Sequence, residues 1–143
     1  MPFEYLDEIA TADAAVKAWG ETLEELFVAA ADATLNVMVA DLSTVAARER
    51  RAIRLESDAV DMLLFALLQE IIFYKDAERL LLRVPEAVIR KEPDRFVLEA
   101  EACGEEIDAS KHDLLVDVKA VTLHRYRVAE TSLGWEAFVI LDI

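Results

Sequence analysis

Residues 58–76 read DAVDMLLFALLQEIIFYKD, and on a helix they are apolar nearly all the way round, interrupted only by Asp61, Gln69, Glu70 and Lys75. A surface helix keeps one polar face, so a helix without one is a helix the rest of the domain must cover. The stretch predicts a central, largely buried helix, with Ser57 or Asp58 as its N-cap.

Upstream, Thr22 and Glu25 form a T-x-x-E capping box, followed by Leu23, Leu26, Phe27, Ala30, Ala33, Val37 and Met38 at intervals of three and four. This predicts an amphipathic helix over about 22–39. Before it, Ala14, Val16 and Ala18 alternate in DAAVKAW, which reads as a strand over 13–19 stopped by Gly20. A short apolar start, Phe3 to Leu6, precedes that strand. Residues 41–44 read as a loop and 51–56 as a strand with a charged face.

Downstream of the central helix the pattern is one of strands, expected at 79–89, 96–103, 116–128 and 135–141. Glu92, Pro93 and Asp94 mark a tight hairpin turn, and 104–113 a longer polar loop. Strands, two helices and a run of strands predict the α+β class: a mixed, mostly antiparallel sheet with two helices packed on one face, in one domain covering 1–143.

Composition limits what such a domain can do. The chain has 143 residues, enough for one sizeable core. Hydrophobic residues make up 55% of it, with only three Gly and three Pro, which excludes a disordered or linker-rich chain. The longest apolar run, Met62 to Leu68, is seven residues, against about 20 for a membrane span. The acidic start MPFEYLDEIA is unlike a signal peptide, so a soluble, cytoplasmic protein is expected. Cys103 is the sole cysteine, so an internal disulfide and a thiolate-rich zinc site are both excluded, and it reads as a small strand residue. A net charge of −14 repels polyphosphate, so direct nucleic-acid binding is not expected, and partners should be cations, basic protein surfaces or none at all.

No phosphate-binding glycine loop, zinc-protease motif or nucleophile elbow occurs. His112 in SKHD and His124 beside Arg125 read as ordinary polar positions. Lys119 lies five residues before His124, an odd offset that puts the two on opposite faces of a regular strand unless a bulge intervenes. Asp13 opens one strand and Asp142 closes the last. With the main-chain carboxylate of Ile143 they would offer hard oxygen ligands for Mg²⁺ or Ca²⁺ wherever the fold joins those strand ends.

Several ordered motifs resemble those of the archease family, small activators of the tRNA-splicing RNA ligase. They are TADAAVKAWG at 11–20 with the helix TLEELFVAAADATLNVM after it, LLFALLQEIIFYKDAE at 63–78, VKAVTLH at 118–124 and the ending VILDI at 139–143. The resemblance implies a non-catalytic protein cofactor that promotes guanylylation of the ligase's active-site histidine, supports multiple turnover and broadens nucleotide choice in tRNA splicing. It also implies a divalent cation, calcium in the family with magnesium or manganese as alternatives, bound by Asp13, Asp142 and Ile143. Lys119 and Asp76 match family positions that are candidates for contacting the ligase. The chain departs from the pattern in four places: Asp7 to Ala10 extends and lacks the histidine of D-H-T-A-D, Ala15 replaces a frequent glycine, Lys17 a frequent arginine, and Ala66 a helix acid. Two other readings compete with the activator: a metal-dependent phosphoester hydrolase using Asp13 and Asp142, and a metal-free interaction or chaperone-like module.

Overall fold

Thr22 begins the first helix with the expected capping box: its side chain accepts from the Glu25 amide at 3.1 Å, while the Glu25 carboxylate accepts from the Thr22 and Glu21 amides. The computed structural model describes residues 2–6 and 13–143. The Asp7 to Ala10 segment and Thr11, to which the sequence comparison assigned a departure and a motif position, lie outside the described residues. Strand β1 is Phe3–Leu6, β2 is Asp13–Gly20, and helix α1 is Leu23–Met38, ended by Val39 as C-cap. The 41–44 loop holds a one-turn 3-10 helix, Leu42–Thr44, capped by the Asp41 side chain.

Strand β3 is Glu49–Ser57 and helix α2 is Val60–Glu78. Its N-cap is Ala59 rather than Ser57 or Asp58, and no side chain caps the first turn; Ser57 Oγ instead accepts from the Ala59 amide just outside it. Leu63, Leu64, Leu67, Leu68, Ile71 and Ile72 are buried, as the opening stretch predicts.

The expected strand at 79–89 is two strands, β4 at Leu80–Arg83 and β5 at Ala87–Lys91. Arg79 is not part of either; it is the left-handed C-cap of α2, with φ 55°. Pro85 interrupts the run because it has no amide to donate to a ladder. The two short strands lie in succession along one edge of β6, Phe96–Glu106, while β3 pairs along its other edge. The turn at Glu92 closes as expected, its amide donating to the Arg95 carbonyl at 2.8 Å.

β6 runs past the expected limit at Cys103 because Gly104 lets β4 approach: a Cβ there would lie 1.7 Å from the Leu81 carbonyl oxygen. Strand β7, Ala120–Thr131, starts later and ends later than the pattern suggests, and β8 is Gly134–Asp142. Between Thr122 and Arg127 the pairing with β8 shifts, so that residues 123–126 oppose the single residue Val139. Arg125, at φ 54°, turns the chain inside this bulge.

The α+β class holds, with all strand pairs antiparallel, but the strands form two sheets rather than one: β1-β2-β8-β7, and β3-β6-β4 with β5 also on β6. Each helix touches strands of both sheets and the other helix, instead of lying on one face of a single sheet. This contact on several sides is what the all-round apolar surface of α2 requires. The alanines of α1, Ala29 to Ala31 and Ala33, are buried and keep it close to its neighbours.

Candidate functional site

Three strand ends converge at one end of the first sheet. The antiparallel register sets Asp13 directly opposite Asp142, and Ala120 opposite Asp142 on the other side. Residues directly opposite in such a pair project on the same face, with Cβ atoms about 5 Å apart. That face is the outer one, because Val16, Ala18, Val139 and Leu141, which alternate with the two acids, belong to the core. Ile143 continues the alternation: its side chain packs against the core and keeps its main chain next to Asp142. A cleft of about 450 Å³ beside this end is lined by Asp13 and Ile143 together with Tyr5, Asn36, Leu115 and Val116. Burial pushes the Tyr5 phenol up to about 12, and its hydroxyl donates to Asn36 at 2.7 Å.

Lys119 reaches the same end through its backbone, its amide donating to the Asp142 carbonyl at 2.7 Å. Its side chain is exposed. The segment before it is held by a residue that sequence reasoning passed over. Lys75, only 6% exposed in spite of its charge, donates to Asp76 (2.5 Å), Asp117 (2.6 Å) and the Val118 carbonyl (2.8 Å). Burial alone lowers the pKa of this amine, but the hydrogen bonds to Asp117 and Asp76 outweigh it and the net direction is upward. Asp76 is therefore tied to Lys75, and a continuous chain of contacts runs from Asp76 through Lys75, Val118 and Lys119 to Asp142. The signal available in the sequence was the one lysine inside an apolar helix; Asp76 is its neighbour in the chain, whereas Asp117 and Val118, outside the helix, become its partners only through long-range folding.

The histidines separate. His124 is exposed within the bulge, so the regular alternation used to compare it with Lys119 does not apply. His112 is not an ordinary loop position: it is buried, accepts the Asp108 amide at Nδ1 (3.0 Å) and donates from Nε2 to Glu105 (3.0 Å). Glu105, itself buried, also accepts from the Ala46 amide (2.7 Å) and from Lys111 (2.6 Å). The Ala46 amide first, and then Lys111, pull its carboxyl down to about 2 against the upward effect of burial. This cluster pins the loop after β6, and neither Glu105 nor His112 lines the cleft beside Asp13. Cys103 is half-buried in β6, as a small strand residue. Among the described residues no group of three or more His, Cys, Asp or Glu side chains is placed to hold a metal ion, and no helix is long and apolar enough to cross a membrane.

The arrangement defines a small α+β domain whose distinguishing feature is a cluster of polar strand ends at one end of the first sheet. The Archease protein family model matches residues 3–143, and the chain belongs to that family. It is 37% identical to the protein archease of Thermococcus gammatolerans over 134 residues, covering 93% of this chain and 94% of that one. The archease of Methanothermobacter thermautotrophicus is 38% identical over 141 residues, covering 99% and 98%. The solution structure of Methanobacterium thermoautotrophicum protein 1598 superposes with a TM-score of 0.85 at 37% identity over 99% of both chains. The crystal structure of "an archease, possible chaperone" from Thermotoga maritima has a TM-score of 0.61 at 16% identity over 96% and 97%, a likeness of fold.

Proposed function

We propose that this protein is a non-catalytic activator of the tRNA-splicing RNA ligase, promoting guanylylation of the ligase's active-site histidine and its repeated turnover in the cytoplasm. What carries the reading is family membership across 3–143 together with the register that sets Asp13 opposite Asp142. Two carboxylates directly opposite each other repel. A divalent cation removes that repulsion, and an all-oxygen donor set suits calcium, magnesium or manganese rather than a soft metal. Asp13, Asp142 and the main-chain oxygens of Ile143 would hold it, with water completing the shell. The bound ion would supply a fixed positive charge at an otherwise anionic end.

Lys119 and Asp76 stand beside that end, and in this reading Lys119 makes the direct contact with the ligase. Asp76 is already engaged by Lys75 and contributes by orienting it. The test is label transfer from radiolabelled GTP to a purified RNA ligase in the presence of Mn²⁺, with and without this protein. More guanylylated ligase is expected with it, and a loss of that gain with Asp13→Ala. No gain from the parent protein rejects the activator reading. Phosphoester turnover by the protein alone, abolished by chelation, would favour the hydrolase instead.

A further inference from the structure

Two open clefts meet at Trp19, at the far end of β2 from Asp13. Six residue steps along the strand separate these positions, about 20 Å. The larger cleft, about 730 Å³, lies between the start of α1 and the Pro85 corner; Trp19, Val28 and Pro85 give it apolar walls, and Glu21, Glu24 and Glu86 rim it. The second, about 510 Å³, runs from the outer face of the sheet at Glu4 and Lys17 to the hairpin residue Leu133 and to Trp135, which is half-buried and packs partly against the core. Leu133, at the tip of the hairpin between β7 and β8, is 86% exposed.

The acids here are not all accounted for by the fold. Glu25 caps α1, Asp32 pairs with Arg83, and Glu136 pairs with Lys17 and Arg127. Among the described residues, Glu4, Glu21, Glu24 and Glu86 form no ion pair. Trp19 is more than a third exposed, and among the described residues the cation that sits over an aromatic ring is Lys91 on Phe96, not one on Trp19. An indole face surrounded by unpaired carboxylates favours a guanidinium or ammonium group, which gains from the ring and from the acids together. A phosphate would be repelled, and a simple inorganic cation would leave Leu133 and Trp135 uncovered.

We propose that the joined clefts at Trp19 form a docking groove for an extended segment of a partner protein carrying arginine or lysine next to apolar residues. The basic side chain lies on Trp19 among Glu21, Glu24 and Glu86, and an apolar neighbour covers Leu133 and Trp135. This groove needs no cation at Asp13 and gives the molecule a second contact surface at the opposite end of the same strand.

The probe is a fluorescein-labelled peptide alternating arginine and leucine, followed by anisotropy against the full chain, with a glutamate-for-arginine peptide alongside. Glu24→Lys combined with Glu86→Lys should weaken binding about tenfold, and Trp19→Ala similarly, while Trp19→Phe keeps most of it. Asp94→Lys combined with Glu106→Lys makes the same change in net charge at exposed positions outside the groove and should change affinity less than about twofold. Equal losses from the two double variants would mean general attraction to an acidic chain and overturn the proposal. So would no binding of the arginine peptide by the parent, or equal binding of the glutamate peptide. Self-association abolished by Trp19→Ala would assign the groove to a second copy and overturn it too. Circular dichroism checks that each variant is folded; where Trp19→Ala is not, the two double variants decide alone.

Discussion

Lys75 is a charged residue that an apolar helix can tolerate only because three oxygens meet it, from Asp76, Asp117 and Val118. Lys75→Met removes the charge at similar length. Asp76 and Asp117 are largely exposed and return to water, so the loss is smaller than for a fully buried pair, about 1–2 kcal/mol. Chemical denaturation should show that loss at neutral pH. The raised pKa of Lys75 means its contribution is complete below its ordinary value of 10.5 and is lost as pH rises through the folded value, so parent and variant should converge in strong alkali. Glu105 gives the opposite dependence. Its folded pKa of about 2 lies below the ordinary 4.5, so its contribution is present above 4.5 and disappears as pH falls toward 2. Glu105→Gln should cost about 1–3 kcal/mol at pH 7 by weakening the bonds to Ala46, Lys111 and His112, and the difference from the parent should shrink between pH 4.5 and 2. Melting curves across that range measure it; a gap that stays constant would remove Glu105 as the titrating group.

At the scale of elements, the helices were legible because their signals are local. The Thr22 to Glu25 box and the all-round apolar run of α2 each lie within a few turns. Strand limits were less so, since they depend on what pairs alongside. Nothing within four residues of Gly104 says that the Leu81 backbone will press against it, and nothing near Thr122 announces four residues opposite one. Pro85 was the exception, a local break in 79–89 that the apolar pattern around it concealed. Gly104→Ala tests the contact between β4 and β6. A Cβ at 1.7 Å from the Leu81 oxygen cannot be accommodated without separating the strands, so the variant should lose about 3 kcal/mol or more, or fail to fold. The Thr22→Ala change, by contrast, removes one cap and should cost about 1 kcal/mol. Urea unfolding of the two variants side by side gives the comparison, and similar midpoints would mean β4 moves away from β6 at little cost.

For the whole molecule, the candidate site was legible as a set of residues but not as a place. Asp13 and Asp142 are 129 positions apart, and only the pairing of β2 with β8 makes them neighbours. The likeness of VILDI and TAD to family motifs implied a ligand set that spacing alone left open. The charge arrangement then leads to a test whose sign reverses with conditions. Without a cation, two carboxylates in direct opposition on one face of the sheet add to the repulsion of a chain already at −14, so Asp13→Asn should melt at or slightly above the parent in chelator. With calcium at a hundred times its dissociation constant, binding to the folded state alone stabilises the parent by about 2.7 kcal/mol. In a chain of this size that is a rise in Tm of about 5–10 °C. Asp13→Asn and Asp142→Asn should lose most of that rise, which places them below the parent in calcium and level with it or above it in chelator. Scanning calorimetry in the two buffers reads the crossing directly. A parent Tm that calcium leaves unchanged would remove the cation from these strand ends, while the ligase assay would still decide the activator role independently.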